Sequence, residues 1–180
     1  MVERGSVLAA HADKAAVSEA VSLAALPPAT RLSIRPPADS AALEAALGVT
    51  FPREACRATV KNGRAALWLG PDEVLLIGPD GLATALLKAV ADYAIVDISH
   101  RNVGIKITGP FATVALNAFC ALDLSEMAFP VGMCTRTLLG KAEIVLWRTG
   151  SEAFRIEAWR SFAPYVWRCL EEARREFLDS

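Results

Sequence analysis

Apolar and polar residues alternate over residues 30–35, with Leu32 and Ile34 on one side, as they do along a half-buried strand. Pro36-Pro37 ends the run. Asp39 or Ser40 then offers a side-chain cap for a short helix, Ala41–Leu47, and Gly48 offers its left-handed stop. Ala58–Lys61 and residues 64–69 flank Asn62-Gly63, a dipeptide that readily takes the two positive φ angles of a type I′ turn, so a hairpin is predicted. Gly70-Pro71-Asp72 turns into a strand over residues 73–77. Gly78-Pro79-Asp80 leads to a helix over residues 82–91, striped by Leu82, Ala85, Leu86 and Ala89, and residues 95–99 return as a strand. This order is the split βαβ pattern of ferredoxin-like units.

The same order comes round again. A strand over residues 103–108 is followed by a helix over 111–119, strands over 135–139, 144–148 and 154–158, and a final helix over 162–177. Leu67-Trp68 and Leu146-Trp147 fall at matching points, which points to a duplicated α+β architecture. In the last helix Phe162, Tyr165, Val166, Cys169, Leu170, Ala173 and Phe177 form an apolar stripe that docks on a core. Glu171, Glu172, Arg174 and Arg175 take the other face, and Ser161 is placed to cap the start.

Residues 1–29 read differently. Val7, Leu8, Val17, Val21 and Leu26 are scattered among alanines and charges, and Leu26-Pro27-Pro28 closes the stretch. Alanine gives helix propensity but little area to bury, so this is a loosely helical arm, either a tail or a segment that orders on a partner. It precedes a single α+β unit over residues 30–180, with halves at about 30–99 and 100–180.

Composition narrows the function classes. The chain is 53% hydrophobic with a mean hydropathy of +0.33, above the roughly 45–50% of an ordinary soluble domain, so part of that surface is expected to meet a partner. Nineteen basic against twenty acidic residues leave a net charge of -1. Such a balance gives no field for nucleic acid or an anionic membrane. No apolar run approaches the roughly 18 residues of a spanning helix, and Glu3, Asp13 and Glu19 interrupt any signal peptide, which predicts a cytoplasmic protein. Cys56, Cys120, Cys134 and Cys169 form no C-x-x-C pair and read as reduced thiols, with Arg136 near Cys134 as the one activating neighbour.

Chemistry-bearing residues gather at Asp97, Ser99, His100, Arg101 and Asn102. In a strand Asp97, Ser99 and Arg101 share one face while His100 takes the other, so a Ser/His/Asp triad is not expected. Two readings remain: Asp97 and Arg101 pairing across a turn, or Arg101 and Asn102 meeting another chain, where arginine is enriched among binding hot spots. His11 is the only other histidine, and no metal site is predicted. Neither a G-x-G-x-x-G nor a complete P-loop occurs, Leu139-Gly140-Lys141 supplying only the Gly-Lys pair, so the chain alone is expected to bind no FAD or NAD. Of the four tryptophans, Trp147 and Trp159 stand beside Arg148 and Arg160 and are the interface candidates.

The polar cluster between two apolar runs, the second ending on Gly109-Pro110, is followed by residues 135–140, the strand-like 142–148 and Arg160-Ser161-Phe162-Ala163. From about residue 30 onward this order resembles the gamma subunit of heterotetrameric sarcosine oxidase. More distantly it is similar to the folate-binding domain of glycine-cleavage aminomethyltransferases. The resemblance implies an α+β fold of two ferredoxin-like βαββαβ-type halves packed together. It implies a non-catalytic subunit docked on the alpha chain, with beta and delta chains in the same complex. Isolated, the chain either stays single or undergoes self-association through the surface meant for alpha. That complex oxidises sarcosine to glycine, reduces oxygen to hydrogen peroxide and passes the methyl carbon to tetrahydrofolate. FAD, covalent FMN, NAD and tetrahydrofolate would all sit in the other subunits. The alternative is a stand-alone folate-binding protein like the aminomethyltransferases. That family carries an aspartate after the glycine matched by Gly140, where this chain has Lys141, Ala142 and Glu143, so Glu143 is the folate candidate.

Overall fold

A computed structural model describes residues 7–8 and 18–177. The elements run β1 (Ser22–Ala25), β2 (Thr30–Ile34), α1 (Ala41–Leu47), β3 (Ala58–Lys61), β4 (Arg64–Gly70), β5 (Glu73–Gly78), α2 (Ala83–Ala89), β6 (Ile95–Asp97), β7 (Asn102–Thr108), α3 (Ala112–Asn117), β8 (Cys134–Leu139), β9 (Ala142–Gly150), β10 (Ala153–Trp159) and α4 (Ala163–Arg174), which tightens into a 3-10 turn over Arg175–Phe177. They form two compact units. One is Pro28–Arg101, and the other joins the residues before Pro28 to those from Asn102 onward.

In the first unit the antiparallel sheet runs β3-β4-β5-β2-β6. Without the edge strand β3, this is the ferredoxin-like arrangement, with the first and third strands central between the fourth and the second. The core of this unit joins Leu32 and Ile34 of β2, Leu43 and Leu47 of α1, Val74 and Leu76 of β5, and Leu86 of α2. The predicted hairpin is present, with Asn62 at φ 54° and Gly63 at φ 71° between paired Lys61 and Arg64. At α1 the candidates divide the work. The Asp39 carboxylate accepts the Ala41 N–H at 3.1 Å. Ser40 stands at the cap position but donates its hydroxyl to Glu44 Oε1 at 2.5 Å, an oxygen that Arg53 Nη2 also reaches at 2.8 Å.

The second unit repeats the layout with one substitution. Its sheet runs β1-β7-β10-β9-β8, so β7, β10 and β9 stand where β2, β5 and β4 stand in the first, and β1 stands where β6 does. No strand follows α4 within the described residues; its place is taken by the N-terminal segment, antiparallel to β7 from Ser22↔Thr108 to Ala25↔Ile105. The helical arm expected over residues 1–29 is therefore corrected where it is described: residues 22–25 are a strand. Val21 and Leu23 alternate into the core, and Val7 and Leu8 pack there too. His11, Asp13 and Val17 lie outside the described residues.

Two arginines turn out to be structural. Arg174, assigned to the outer face of the last helix, is 0% exposed. Its Nε and Nη2 grip both oxygens of Glu171 at 2.9 and 3.0 Å, and Nη1 donates to the Val21 carbonyl at 3.3 Å, tying the last helix to the lead-in of β1. Arg148 is the other. It is buried, with Nη1 donating to Leu124 O (3.1 Å) and Phe129 O (2.9 Å), Nη2 to Ser151 O (2.5 Å) and Nε to Gly150 O (3.3 Å), while its guanidinium lies 5.1 Å over the Phe154 ring. One cation thus holds the irregular segment before β8.

The repeated Leu-Trp dipeptides are one residue out of step. The β4–β5 turn closes on Gly70↔Glu73 and the β9–β10 turn on Gly150↔Ala153, each followed by a bulge and then Trp68↔Val74 and Arg148↔Phe154. Arg148, not Trp147, is the counterpart of Trp68. The helix start also departs from expectation: Phe162, with no side-chain cap, occupies the place expected of Ser161.

Gly109 explains why the second unit needs a glycine after β7. Its φ is +122°, and a Cβ there would run into the backbone carbonyl of Ala20, the oxygen that accepts the Phe111 N–H at 3.2 Å. Any side chain would push the N-terminal segment off the sheet. Gly109→Ala is expected to destabilise the protein by about 3 kcal/mol or more, read as a lowered urea midpoint. A midpoint equal to wild type would contradict the close approach. Arg148→Met keeps the bulk but strands four carbonyl acceptors, and a loss of about 3 kcal/mol is expected, with amide exchange rising first over residues 122–131.

Candidate functional site

The polar cluster is built as a lock on the end of a strand. Asp97 closes β6, and one of its carboxylate oxygens accepts both the Ser99 N–H (2.8 Å) and the Ser99 hydroxyl (2.5 Å). The Ser99 oxygen in turn accepts the Arg31 N–H at 2.9 Å, and the Ile98 N–H donates to the Arg31 carbonyl at 2.9 Å. Ser99 is buried and its hydroxyl is engaged as donor and acceptor at once. The arrangement is an Asx-type turn that extends the β6–β2 pairing, and Asp97 orients Ser99 instead of a histidine. Arg101 is exposed in the turn, its N–H donating to Ile98 O at 2.9 Å.

Glu143 points outward. It sits on β9 opposite Leu138, and its side chain is 52% exposed and 3.8 Å from Arg136 Nε. Ile144, its neighbour on the opposite face, belongs to the core. A pair this exposed is worth under about 1 kcal/mol and leaves the carboxylate in water, not in the dry setting that general acid-base work favours. Gly140-Lys141 forms the tight β8–β9 turn, with the Lys141 N–H donating to the Tyr165 hydroxyl at 3.1 Å. The Gly-Lys pair is therefore a hairpin turn and not a phosphate cradle.

The thiols follow burial. Cys120, Cys134 and Cys169 are buried, Cys56 is half-buried, and none of the four is in a disulfide. Cys134 is 0% exposed, so the nearby Arg136 activates nothing that a substrate could reach. Among the described residues no group of three or more His, Cys, Asp or Glu side chains could hold a metal ion, and no helix is long and apolar enough to cross a membrane. Asp123 has its carboxyl held below the ordinary range by the Ser125 N–H (2.9 Å) and then by the Ser125 side chain; this exposed turn shapes the segment that Arg148 anchors.

The tryptophans separate into distinct roles. Trp167 is 1% exposed in the core. Trp147 is half-buried between Cys134 and Arg155 in register, and its indole N–H is the one buried side-chain polar atom among the described residues without a hydrogen-bond partner. Trp159 ends β10 with 41% of its surface exposed, and its ring lies 6.2 Å from that of Phe162, itself 44% exposed. The cross-strand partner of Trp159 is Asn102, which is buried. The structure thus brings Asn102 and Trp159 together at one end of the β7–β10 pair, adds Phe162, and leaves Trp147 farther along the sheet. Phe162 was missed because it keeps the apolar spacing of the last helix. Only its place at the cap position, before the first full turn, turns it outward.

Comparison with known proteins puts this geometry in context. Residues 31–176 match the model of the sarcosine oxidase, gamma subunit family. A sarcosine oxidase subunit gamma from Corynebacterium sp. (strain P-1) is 36% identical over 142 residues, covering 76% of this chain and 70% of the relative. That of Corynebacterium sp. (strain U-96) is 33% identical over 177 residues, covering 94% and 86%. Among solved structures, heterotetrameric sarcosine oxidase from Corynebacterium sp. U-96 in complex with pyrrole 2-carboxylate contains a chain that superposes with a TM-score of 0.85 at 32% identity, covering 96% of this chain and 94% of its own. Glycine cleavage system aminomethyltransferase T from Bartonella henselae shares the fold at a TM-score of 0.61 and 14% identity, over 85% of this chain and 46% of that one. With a family match that runs from the second residue of β2 to the 3-10 turn after α4, this chain belongs to the sarcosine oxidase gamma subunit family.

Proposed function

We propose that this chain is the non-catalytic gamma subunit of a heterotetrameric sarcosine oxidase in the cytoplasm and that it docks on the alpha subunit. The complex converts sarcosine, oxygen and tetrahydrofolate to glycine, hydrogen peroxide and 5,10-methylenetetrahydrofolate. In this reading FAD, FMN, NAD and the folate are held by the other subunits, with beta and delta completing the assembly. Family membership is the observation that carries it. The site chemistry agrees. Ser99 and Asp97 are spent on a turn, Glu143 lies half-exposed in an ion pair, and an aromatic pair faces solvent at Trp159 and Phe162. Tryptophan is among the side chains that most often dominate binding energy at an interface, and phenylalanine is enriched there. The position of Glu143 speaks against the stand-alone folate reading.

The test uses the full chain with and without its neighbours. Purified alone, it is expected to yield no sarcosine-dependent peroxide, no flavin absorbance and no change in tryptophan fluorescence on titration with tetrahydrofolate. Co-expressed with the other subunits, it is expected to copurify with a flavin-containing complex. Trp159→Ala together with Phe162→Ala should weaken that association at least tenfold, about 1.4 kcal/mol, while the lone chain melts a few degrees lower but is still folded at the assay temperature. A yellow, active lone chain would overturn the proposal.

A further inference from the structure

The chain has three methionines, and two of them, Met127 and Met133, lie among the described residues. Their surroundings are opposite. Met127 is 94% exposed, whereas Met133 is half-buried and packs against the core of the second unit. The backbone on either side fixes that exposure. Leu124 and Phe129 are buried and Arg148 holds the carbonyls of both, so the segment is pinned before and after Met127. Between the pins the Phe129 N–H donates to Ser125 O at 2.8 Å, closing a single turn with Met127 at its middle. The Ser125 N–H donates to the Asp123 carboxylate at 2.9 Å and sets the entry to that turn. None of these contacts involves the Met127 thioether, which stands in water on a frame held by other groups.

Resting on the reading that the oxidase releases hydrogen peroxide, we infer that the Met127 thioether is a modification site, oxidised by that peroxide to the sulfoxide ahead of Met133. In the step a lone pair on Met127 Sδ attacks one peroxide oxygen; an S–O bond forms and the O–O bond breaks. The proton on the transferred oxygen passes to the departing hydroxide, leaving sulfoxide and water. Sulfur gives up two electrons and peroxide takes them. Access decides which sulfur reacts, because peroxide must reach Sδ and the departing hydroxide must be solvated. Burial also decides what the product costs. At Met127 the new polar oxygen lies in water, while at Met133 it would enter an apolar contact. The thiols are a separate reaction, since they attack as thiolates, and three of the four are buried.

Two arms separate the order of the sulfurs from the source of the peroxide. In the first, the full chain alone is treated with hydrogen peroxide, and tandem mass spectra score the added oxygen at each methionine. Met127 is expected to take it at least about tenfold faster than Met133, with the melting curve unchanged once Met127 is converted. Met127→Leu should abolish that fast uptake and leave the rate at Met133 within about twofold. Equal rates at the two methionines, or Met133 first, overturn the inference. In the second arm the complex assembled with wild-type chain turns over sarcosine and oxygen. Sulfoxide is expected to accumulate at Met127 ahead of Met133 and to disappear when catalase is added. A complex that makes peroxide yet leaves Met127 unmodified overturns the inference and leaves the oxidase reading standing. A complex that makes no peroxide from sarcosine overturns the oxidase reading and, with it, the source of oxidant named here, whatever the first arm finds.

Discussion

The second unit depends on the four residue pairs between β1 and β7. Without them β7 would present a bare edge, and the chain after α4 supplies no other strand within the described residues. Three features hold the pairing. Gly109 lets the Ala20 carbonyl approach where a Cβ would block it, the buried Arg174 donates to Val21, and Val21 and Leu23 turn into the core. The contacts are distant in sequence, with Ser18 donating to the Phe177 carbonyl at 3.0 Å across almost the whole chain. The start of the chain is thus a condition for the fold of its end.

That dependence marks where the sequence could and could not be read. Most elements after residue 30 were legible because their signals are local: Leu32 and Ile34 alternate, Leu43 and Leu47 are one helical turn apart, and Asn62-Gly63 dictates its own turn. β1 was not, since Ser22–Ala25 has a single large apolar residue and becomes a strand only through a partner eighty residues away. Arg148 and Arg174 were invisible for a similar reason. An arginine in a sequence looks solvated, and only the tertiary fold shows carbonyls and a carboxylate converging on it. At the site, the exposure of Trp159 and the burial of Asn102 both follow from register on the β7–β10 pair, which composition does not carry.

The two units show how one layout takes on different work. At equivalent points after matching bulges, the first has Trp68 and the second has Arg148. Trp68 is half-buried and lines a shallow cleft of about 240 Å³ with Phe51, Arg53 and Val74. Arg148 instead gathers the carbonyls of Leu124 and Phe129 and holds an irregular segment over its strand. A change at one register position thus accompanies the difference between an open groove and a fixed loop.

In the fold this chain shares with an aminomethyltransferase, several acidic side chains are engaged locally. Here Asp97 and Ser99 satisfy each other and the β2 backbone, Glu44 is satisfied by Ser40 and Arg53, and Glu143 stands in water beside Arg136. Polar groups committed to turns and strand ends stiffen the scaffold, and a stiff scaffold lowers the entropy cost of presenting a surface. What such a scaffold then presents is apolar: Trp159 beside Phe162 at one helix start, Phe111 stacked on Phe177 at another. Side chains of this kind gain most from being covered, because a fixed aromatic ring loses little conformational freedom when another surface closes over it.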